Sequence, residues 1–305
     1  MRIIYLGTPE FSVEPLKRIV EKGNHQVVGV VCNRDKAVGR KRILTPPPVK
    51  VYATQMGIPV FQYDKIRLEG VEDIKNLAPD LMITCAFGQI LSKEILDIPS
   101  MGVINIHASL LPKYRGASPI HYAILNGETN TGITIMKTDV GIDTGDVMFS
   151  ESVVIEDNDT CGELFNKLSI LGADSIEKAL YLLENGKALY TPQDDNMASY
   201  TKIITKQDAL INWNKSSRQI FNHVRAFNPS PVAYTYLNGE PFKIFECEEC
   251  NGVGKPGEVL CSDYQLIVAC KEGAVKLKVV QKAGGKMLSI SDFLLGNKIE
   301  KGMIF

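Results

Sequence analysis

Two polar side chains spaced two apart, Asn105 and His107, lie in the run GVINIHASLLPKYRG from Gly102 to Gly116. The run opens with alternating apolar residues and closes on Pro and Gly, so it reads as a strand delivering polar groups to its own exit. On a strand, positions i and i+2 share a face. The amide and the imidazole therefore point into one space, while Ile104 and Ile106 anchor the opposite face. An amide N–H suits a developing oxyanion, and an imidazole gives or takes a proton near neutral pH. Together they suit attack on a carbonyl. The plainer reading is a pair of polar residues at a strand end, satisfied by backbone. Asp143, in the glycine-punctuated loop TDVGIDTG, adds a carboxylate; taken alone it reads equally as an Asx-turn residue.

The elements that must position these groups follow a β-α-β rhythm. Residues 2–6 read as a strand ending at Gly7, with Thr8 and Pro9 as N-cap and first turn of a helix to about Lys22. A strand over 26–32, a helix near 47–56, a strand at 58–61, a helix over 71–77 and a strand over 81–87 come next. The last, DLMITCAFG, is a near-continuous apolar run, as in a strand buried on both faces. Gly88 and Gln89 sit at its carboxyl end, where open α/β sheets bind ligands. After the organising strand come a short helix at 119–125, a hairpin of 132–137 with 146–154, and a long helix over 161–184 stopped by Asn185 and Gly186. This predicts an α/β fold with a doubly wound, mainly parallel sheet. The first turn reads GTPEFS and lacks G-x-G-x-x-G, which counts against NAD or FAD. Residues 187–207 carry Pro, Asp, Asn and Ser without periodicity and read as a linker. A helix near 216–226 and five short alternating strands follow, suggesting a small β-barrel of oligonucleotide-binding (OB-like) type. The expected domains are 1–189, a linker at 190–206, and 207–305.

The 305 residues carry a net charge of −1, with 45% hydrophobic residues. That composition allows a sizeable core and gives no global pull toward nucleic acid or membrane. No apolar run approaches the ~20 residues that span a bilayer, and MRIIYLGTPEF looks like a first strand rather than a signal peptide. A cytoplasmic protein is expected. Seven cysteines, an odd number in a long chain, argue against a disulfide framework. Cys247-x-x-Cys250 is followed by Cys261 and Cys270 without a second short spacing, so free thiols are expected rather than zinc. The stretch 33–50 holds Arg34, Lys36, Arg40, Lys41, Arg42 and Lys50 against Asp35 alone. Its length and charge in a near-neutral chain point to a polyanion contact. Lys276, Lys278, Lys282 and Lys286 read either as a second basic face or as ordinary solvated lysines. His25, His121 and His223 read as structural or exposed.

The string N-x-H-x-S-L-L-P-x-x-x-G from Asn105 to Gly116, together with D-x-G-x-D-x-G around Asp143, resembles the folate-dependent formyltransferase family. GTPEFS, the basic insertion RDKAVGRKRILTPPPVK and the later RAFNPSP resemble the branch acting on initiator tRNA. The resemblance implies a Rossmann-like catalytic domain followed by a tRNA-binding one. It implies transfer of the formyl group of 10-formyltetrahydrofolate to the α-amine of methionyl initiator tRNA. Asn105, His107 and Asp143 would be catalytic, with Asn105 and protonated His107 holding the oxyanion. Ser109, Leu110, Leu111 and Pro112 would bind folate, and Gly88, Gln89, Ile90, Val140, Gly141 and Ile142 would line the pterin pocket. Arg40, Lys41 and Arg42 would approach the acceptor stem, and Lys113 and Arg115 would meet either an anion or solvent. No metal and no stable protein partner are implied. Ser230 stands where the family pattern leads one to expect Trp. The free amine is itself the nucleophile, in keeping with the lack of a G-x-S-x-G elbow. The rival readings are transfer to an amino-sugar nucleotide or glycinamide ribonucleotide, hydrolysis of the same folate, and a non-catalytic nucleic-acid module.

Overall fold

A computed structural model describes residues 1–39 and 41–305 of the chain. Contacts divide it into two units. One comprises Met1–Pro119, Asn130–Val153 and Phe165–Thr201; the other comprises Ile120–Thr129, Val154–Leu164 and Lys202–Phe305. Each is thus assembled from separated stretches, and residues 187–201, linker-like by composition, belong with the first.

The first unit is built on a seven-stranded sheet. Its order is Val147–Val154, Asn130–Lys137, Val103–His107, Leu81–Cys85, Arg2–Gly7, Gln26–Cys32, Val60–Gln62. Val103–His107 pairs in parallel with Leu81–Cys85 and antiparallel with Asn130–Lys137. The remaining pairs from Leu81–Cys85 to Val60–Gln62 are parallel. The expected doubly wound, mainly parallel sheet is present. Its order runs outward in both directions from the neighbours Arg2–Gly7 and Leu81–Cys85, and the carboxyl ends at such a switch point are where open α/β sheets bind ligands. Leu81–Cys85 is buried along its whole length, as its apolar run requires.

Local differences from the sequence reading have physical causes. The first helix starts late: a 3₁₀ turn at Glu10–Ser12 precedes Val13–Lys22. Thr8 does not cap it. Its hydroxyl accepts from Asn33 N at 3.2 Å and donates to Phe87 O at 3.4 Å, tying strand ends together instead. The basic stretch is not plain loop but carries a small antiparallel hairpin, Lys36–Val38 with Ile43–Thr45. The long helix spans Cys161–Glu184 as its periodicity predicts.

The second unit holds an antiparallel sheet ordered Tyr234–Leu237, Glu240–Cys250, Ala274–Lys282, Leu266–Ala269, Val259–Cys261, with Leu288–Ser289 added to Ala274–Lys282. Register shifts at 244–247 and at 259–261 interrupt the ladder and curl the sheet. Trp213, Phe242, Phe293 and Phe305 form its aromatic core, with neighbouring ring centroids 5.3 to 6.0 Å apart. The helix Ser217–Ala226 begins with a reciprocal cap between Ser216 and Gln219. The Leu288–Ser289 strand and the Ile290–Gly296 helix, too short to show a period, are additions to the expected elements. Among the described residues no helix is long and apolar enough to cross a membrane.

Candidate active site

Ile104 and Ile106 are fully packed, as the alternation of the strand demands. That fixes Asn105 and His107 on the other face, at the carboxyl edge of the sheet. Thr84 lies directly across from Asn105 in the parallel ladder. Its hydroxyl donates to Asn105 Oδ1 at 2.9 Å. The amide is thereby oriented with Nδ2 toward Asp143 Oδ1, 3.3 Å away. His107, only 6% exposed, places Nε2 3.0 Å from the Tyr114 carbonyl. A carbonyl can only accept, so Nε2 is the proton-bearing nitrogen. The other nitrogen, Nδ1, stands 3.5 Å from Asp143 Oδ2. The structure thus brings the amide, imidazole and carboxylate together, and directs both ring nitrogens of His107 at protein partners.

Asp143 has φ +52°, a left-handed conformation that Asp tolerates better than most residues. Its Oδ2 also accepts from the backbone N–H of Gly116 at 2.8 Å. Gly116 has φ +101°, and a Cβ there would stand 2.6 Å from the Thr201 carbonyl. The glycine that ends the organising run is therefore needed both for its conformation and for close approach of the Tyr200–Thr201 strand.

Ser109 is fully buried. Its hydroxyl donates to Lys113 O at 2.7 Å and its carbonyl accepts from Thr134 Oγ1 at 2.7 Å. Thr134 also accepts from Leu111 N at 3.2 Å. Ser109 thus shapes the loop, leaving Leu110, Leu111 and Pro112 half-exposed on it. Gln89 is similarly committed: Oε1 accepts from Ile66 N at 2.9 Å, and Nε2 donates to Asn33 Oδ1 at 2.8 Å and to Tyr63 O at 3.0 Å. Gly88, at φ +76°, makes the turn before it. Gly141 N donates to Asp139 Oδ1 at 2.9 Å, within the loop that carries Asp143. Ile90, Val140 and Ile142 expose most of their apolar surface on loops at this edge of the sheet.

Two functional candidates escaped the sequence reading, Thr84 and Gln193, and a third, Arg115, was misplaced by it. For Thr84 the one hydroxyl inside an apolar strand was the available signal. Arg115 meets neither solvent nor an external anion, being 1% exposed. Its guanidinium donates to Gln193 Oε1 at 3.0 Å, Tyr200 Oη at 3.1 Å and Asp195 Oδ1 at 2.8 Å. Residues 193–200 come from the stretch without periodicity, which offered no signal.

Of the basic residues in 33–50, Arg34 pairs with Asp64 at 2.7 Å, and Lys50 with Asp35 at 2.8 Å. Arg40 lies outside the described residues. Lys41 and Arg42 are exposed at the turn of the hairpin, whose Val38, Ile43 and Leu44 are more than half exposed. Lys276 and Lys278 both reach Glu248, at 3.3 and 3.1 Å, which neutralises part of that face. All seven cysteines are free. Burial pushes the thiols of Cys32 and Cys85 up to about 11, opposite to what a nucleophilic thiol requires. Among the described residues no cluster of three or more His, Cys, Asp or Glu is arranged to hold a metal.

Comparison with known proteins places this chain in a family. The family described as Formyl transferase matches residues 1–180, and the one described as Formyl transferase, C-terminal domain, matches residues 203–298. The chain is 44% identical to the methionyl-tRNA formyltransferase of Ruminiclostridium cellulolyticum, covering 99% of this chain and 98% of that protein. It is also 44% identical to the methionyl-tRNA formyltransferase of Bacillus cytotoxicus, with the same coverage of each. Among solved structures, the sugar 3N-formyl transferase WlaRD, with dTDP and 5-N-formyl-THF, shares the fold at a TM-score of 0.68 and 22% identity, over 94% of this chain and 99% of that one. An N-formyltransferase from Helicobacter canadensis, in complex with folinic acid and dTDP-3-aminofucose, aligns with a TM-score of 0.67 and 23% identity, over 93% and 100%. On matches covering both halves of its length, the chain belongs to the formyl transferase family.

Proposed function

We propose that this protein transfers the formyl group of 10-formyltetrahydrofolate to the α-amine of methionyl initiator tRNA in the cytoplasm. The observation that carries the reading is the convergence of Asn105, His107 and Asp143 at the carboxyl edge of the sheet. The 44% identity to relatives of that name supports the choice of acceptor. The reaction breaks the formyl C–N bond of the folate, makes one to the amine, and moves one proton from the amine to the departing folate nitrogen.

Negative charge gathers on the formyl oxygen as the amine attacks, and a preorganised donor lowers that barrier. Asn105 is assigned this role. Thr84 occupies its Oδ1, and Nδ2 has two hydrogens of which Asp143 takes one. His107 has Nε2 bonded to the Tyr114 carbonyl and Nδ1 facing Asp143, so its contribution is assigned to run through Asp143 rather than through the oxyanion. This differs from the expectation that the imidazolium shares the oxyanion. With Nε2 as donor, Nδ1 carries a proton toward Asp143 only as imidazolium, and that charge supports the carboxylate. Asp143 is assigned the amine proton, directly or through water.

The exposed apolar surfaces of Ile90, Val140 and Ile142 are assigned to the flat pterin, with backbone groups of 88–90 and 140–142 available to its polar edge. Leu110, Leu111 and Pro112 cover the folate. The catalytic half is taken to reach Thr201, past the boundary at 189 expected from sequence, and the tRNA-binding half as 207–305. Arg40, Lys41 and Arg42 are assigned to the acceptor stem, where phosphate contacts position an RNA without reading its sequence. No stable protein partner is invoked. The test is a formyl-transfer assay with purified protein and 10-formyltetrahydrofolate. Methionyl initiator tRNA, an amino-sugar nucleotide, glycinamide ribonucleotide and water alone are offered as acceptors. Product only with the tRNA supports the reading. Comparable formate release without any amine overturns it.

A further inference from the structure

Asp143 is held at both ends by two consecutive residues of one short strand. Gly116 N–H grips its carboxylate at 2.8 Å. The side chain of the preceding residue, Arg115, acts through Gln193. Gln193 Nε2 donates to the Asp143 carbonyl at 2.9 Å and to the Gly145 carbonyl at 2.7 Å, while its Oε1 accepts from Arg115 Nε at 3.0 Å. One amide therefore bridges the carbonyls either side of Thr144, on a loop whose Asp143 sits at φ +52°.

We infer that Gln193, backed by the buried Arg115, is a positioning residue for the reaction. It fixes the loop so that Asp143 meets Asn105 and His107. The inference rests on the reading of Asp143 as the carboxylate that handles the amine proton.

Two features argue against a merely structural contact. A guanidinium with five donors is almost wholly buried, which is costly unless its hydrogen bonds are made. Here three are made, and all go to residues 193–200. In addition, Gln193 uses its acceptor on Arg115 and its donors on the Asp143 loop. Reversing the amide would set Nε2 against the guanidinium and Oε1 against two carbonyls. Its orientation is therefore determined, and with it the position of the loop.

Gln193→Glu separates the two duties. The carboxylate still accepts from Arg115 but cannot donate to the two carbonyls. Gln193→Met, of similar length and without donors, carries the same expectation if the first variant does not fold. Asp143→Asn is the third arm. The readouts are kcat and KM for each substrate, with thermal unfolding alongside. Misplacing a reacting group by about 1 Å costs on the order of 100-fold. Expected is a fall in kcat of roughly 10- to 100-fold for Gln193→Glu, with KM for folate and tRNA within about threefold and the unfolding midpoint near that of the parent. Parental kcat in a folded Gln193 variant, beside an inactive Asp143→Asn, overturns the positioning role and spares Asp143. Parental activity in Asp143→Asn overturns the reading of Asp143 and this inference with it.

Discussion

Replacing Asn105 with alanine tests the oxyanion assignment most directly. The side chain offers one donor group, Nδ2, and its oxygen is already held by Thr84. The loss is therefore one donor, which costs about 10²–10³ in rate where donors are preorganised. The effect on folding is smaller, because each partner group keeps another contact, although Asp143 Oδ1 loses its donor. Thr84 Oγ1 still has the Ile104 carbonyl at 3.3 Å, and Asp143 keeps Gly116 N–H. That bounds the stability cost near ~1 kcal/mol, the usual worth of a hydrogen bond. A companion change, Thr84→Val, removes only the bond that orients the amide. At ~0.5–1.5 kcal/mol, it should slow turnover about two- to tenfold. The assay is steady-state formylation of charged tRNA with both substrates saturating, beside a urea unfolding curve for each variant. A large loss for Asn105→Ala, a small one for Thr84→Val, and near-parental stability in both are expected. Turnover of folded Asn105→Ala within about fivefold of the parent would refute the reasoning.

Three further outcomes are expected. Neutralising Lys41 and Arg42 should weaken tRNA use and flatten the log–log salt dependence by up to ~2, about one per lost phosphate contact. Folate affinity should stay constant, and an unaltered slope would remove these residues from the interface. Burial holds His223 down to about 4, below its unfolded value of about 6.5. The unfolded chain therefore takes up a proton between those values that the folded chain refuses. Stability is full above pH ~6.5 and drains as pH falls toward 4, by up to ~3 kcal/mol. His223→Gln should flatten that slope in urea titrations at pH 7 and 4.5, and identical slopes would contradict it. Gly116→Ala should lower both stability and activity, since its Cβ meets the Thr201 carbonyl at φ +101°. A folded, fully active variant would show that the Asp143 loop does not depend on that approach.

What could be read from sequence followed the reach of each physical signal. Period-two alternation placed Asn105 and His107 on one face, because burial of Ile104 and Ile106 leaves no other choice. The apolar run at 81–87 announced a central strand, and the helical spacing of Leu164, Leu168, Leu171, Ile176, Leu180 and Leu183 announced the helix Cys161–Glu184 in full. Asp143 was legible only through resemblance to a family, since a left-handed loop residue has no period to betray it. Roles for Ser109 and Gln89 were harder still: their polar atoms serve distant backbone groups such as Lys113 O and Tyr63 O. Arg115 was misread as an exposed cation because its partners lie 78 to 85 positions away. No local pattern reports a contact at that range.

The docking of residues 191–201 bears on how this protein can be dissected. A fragment ending at residue 180, where the first family match stops, would still contain Asn105, His107 and Asp143. It would lack Gln193, Asp195, Ser199, Tyr200 and Thr201. Arg115 would then be left without its side-chain acceptors, and Gly116 without the strand it pairs with. Boundaries for a minimal catalytic piece must therefore be set beyond Thr201, and an inert shorter fragment would say nothing against the three reactive groups it retains.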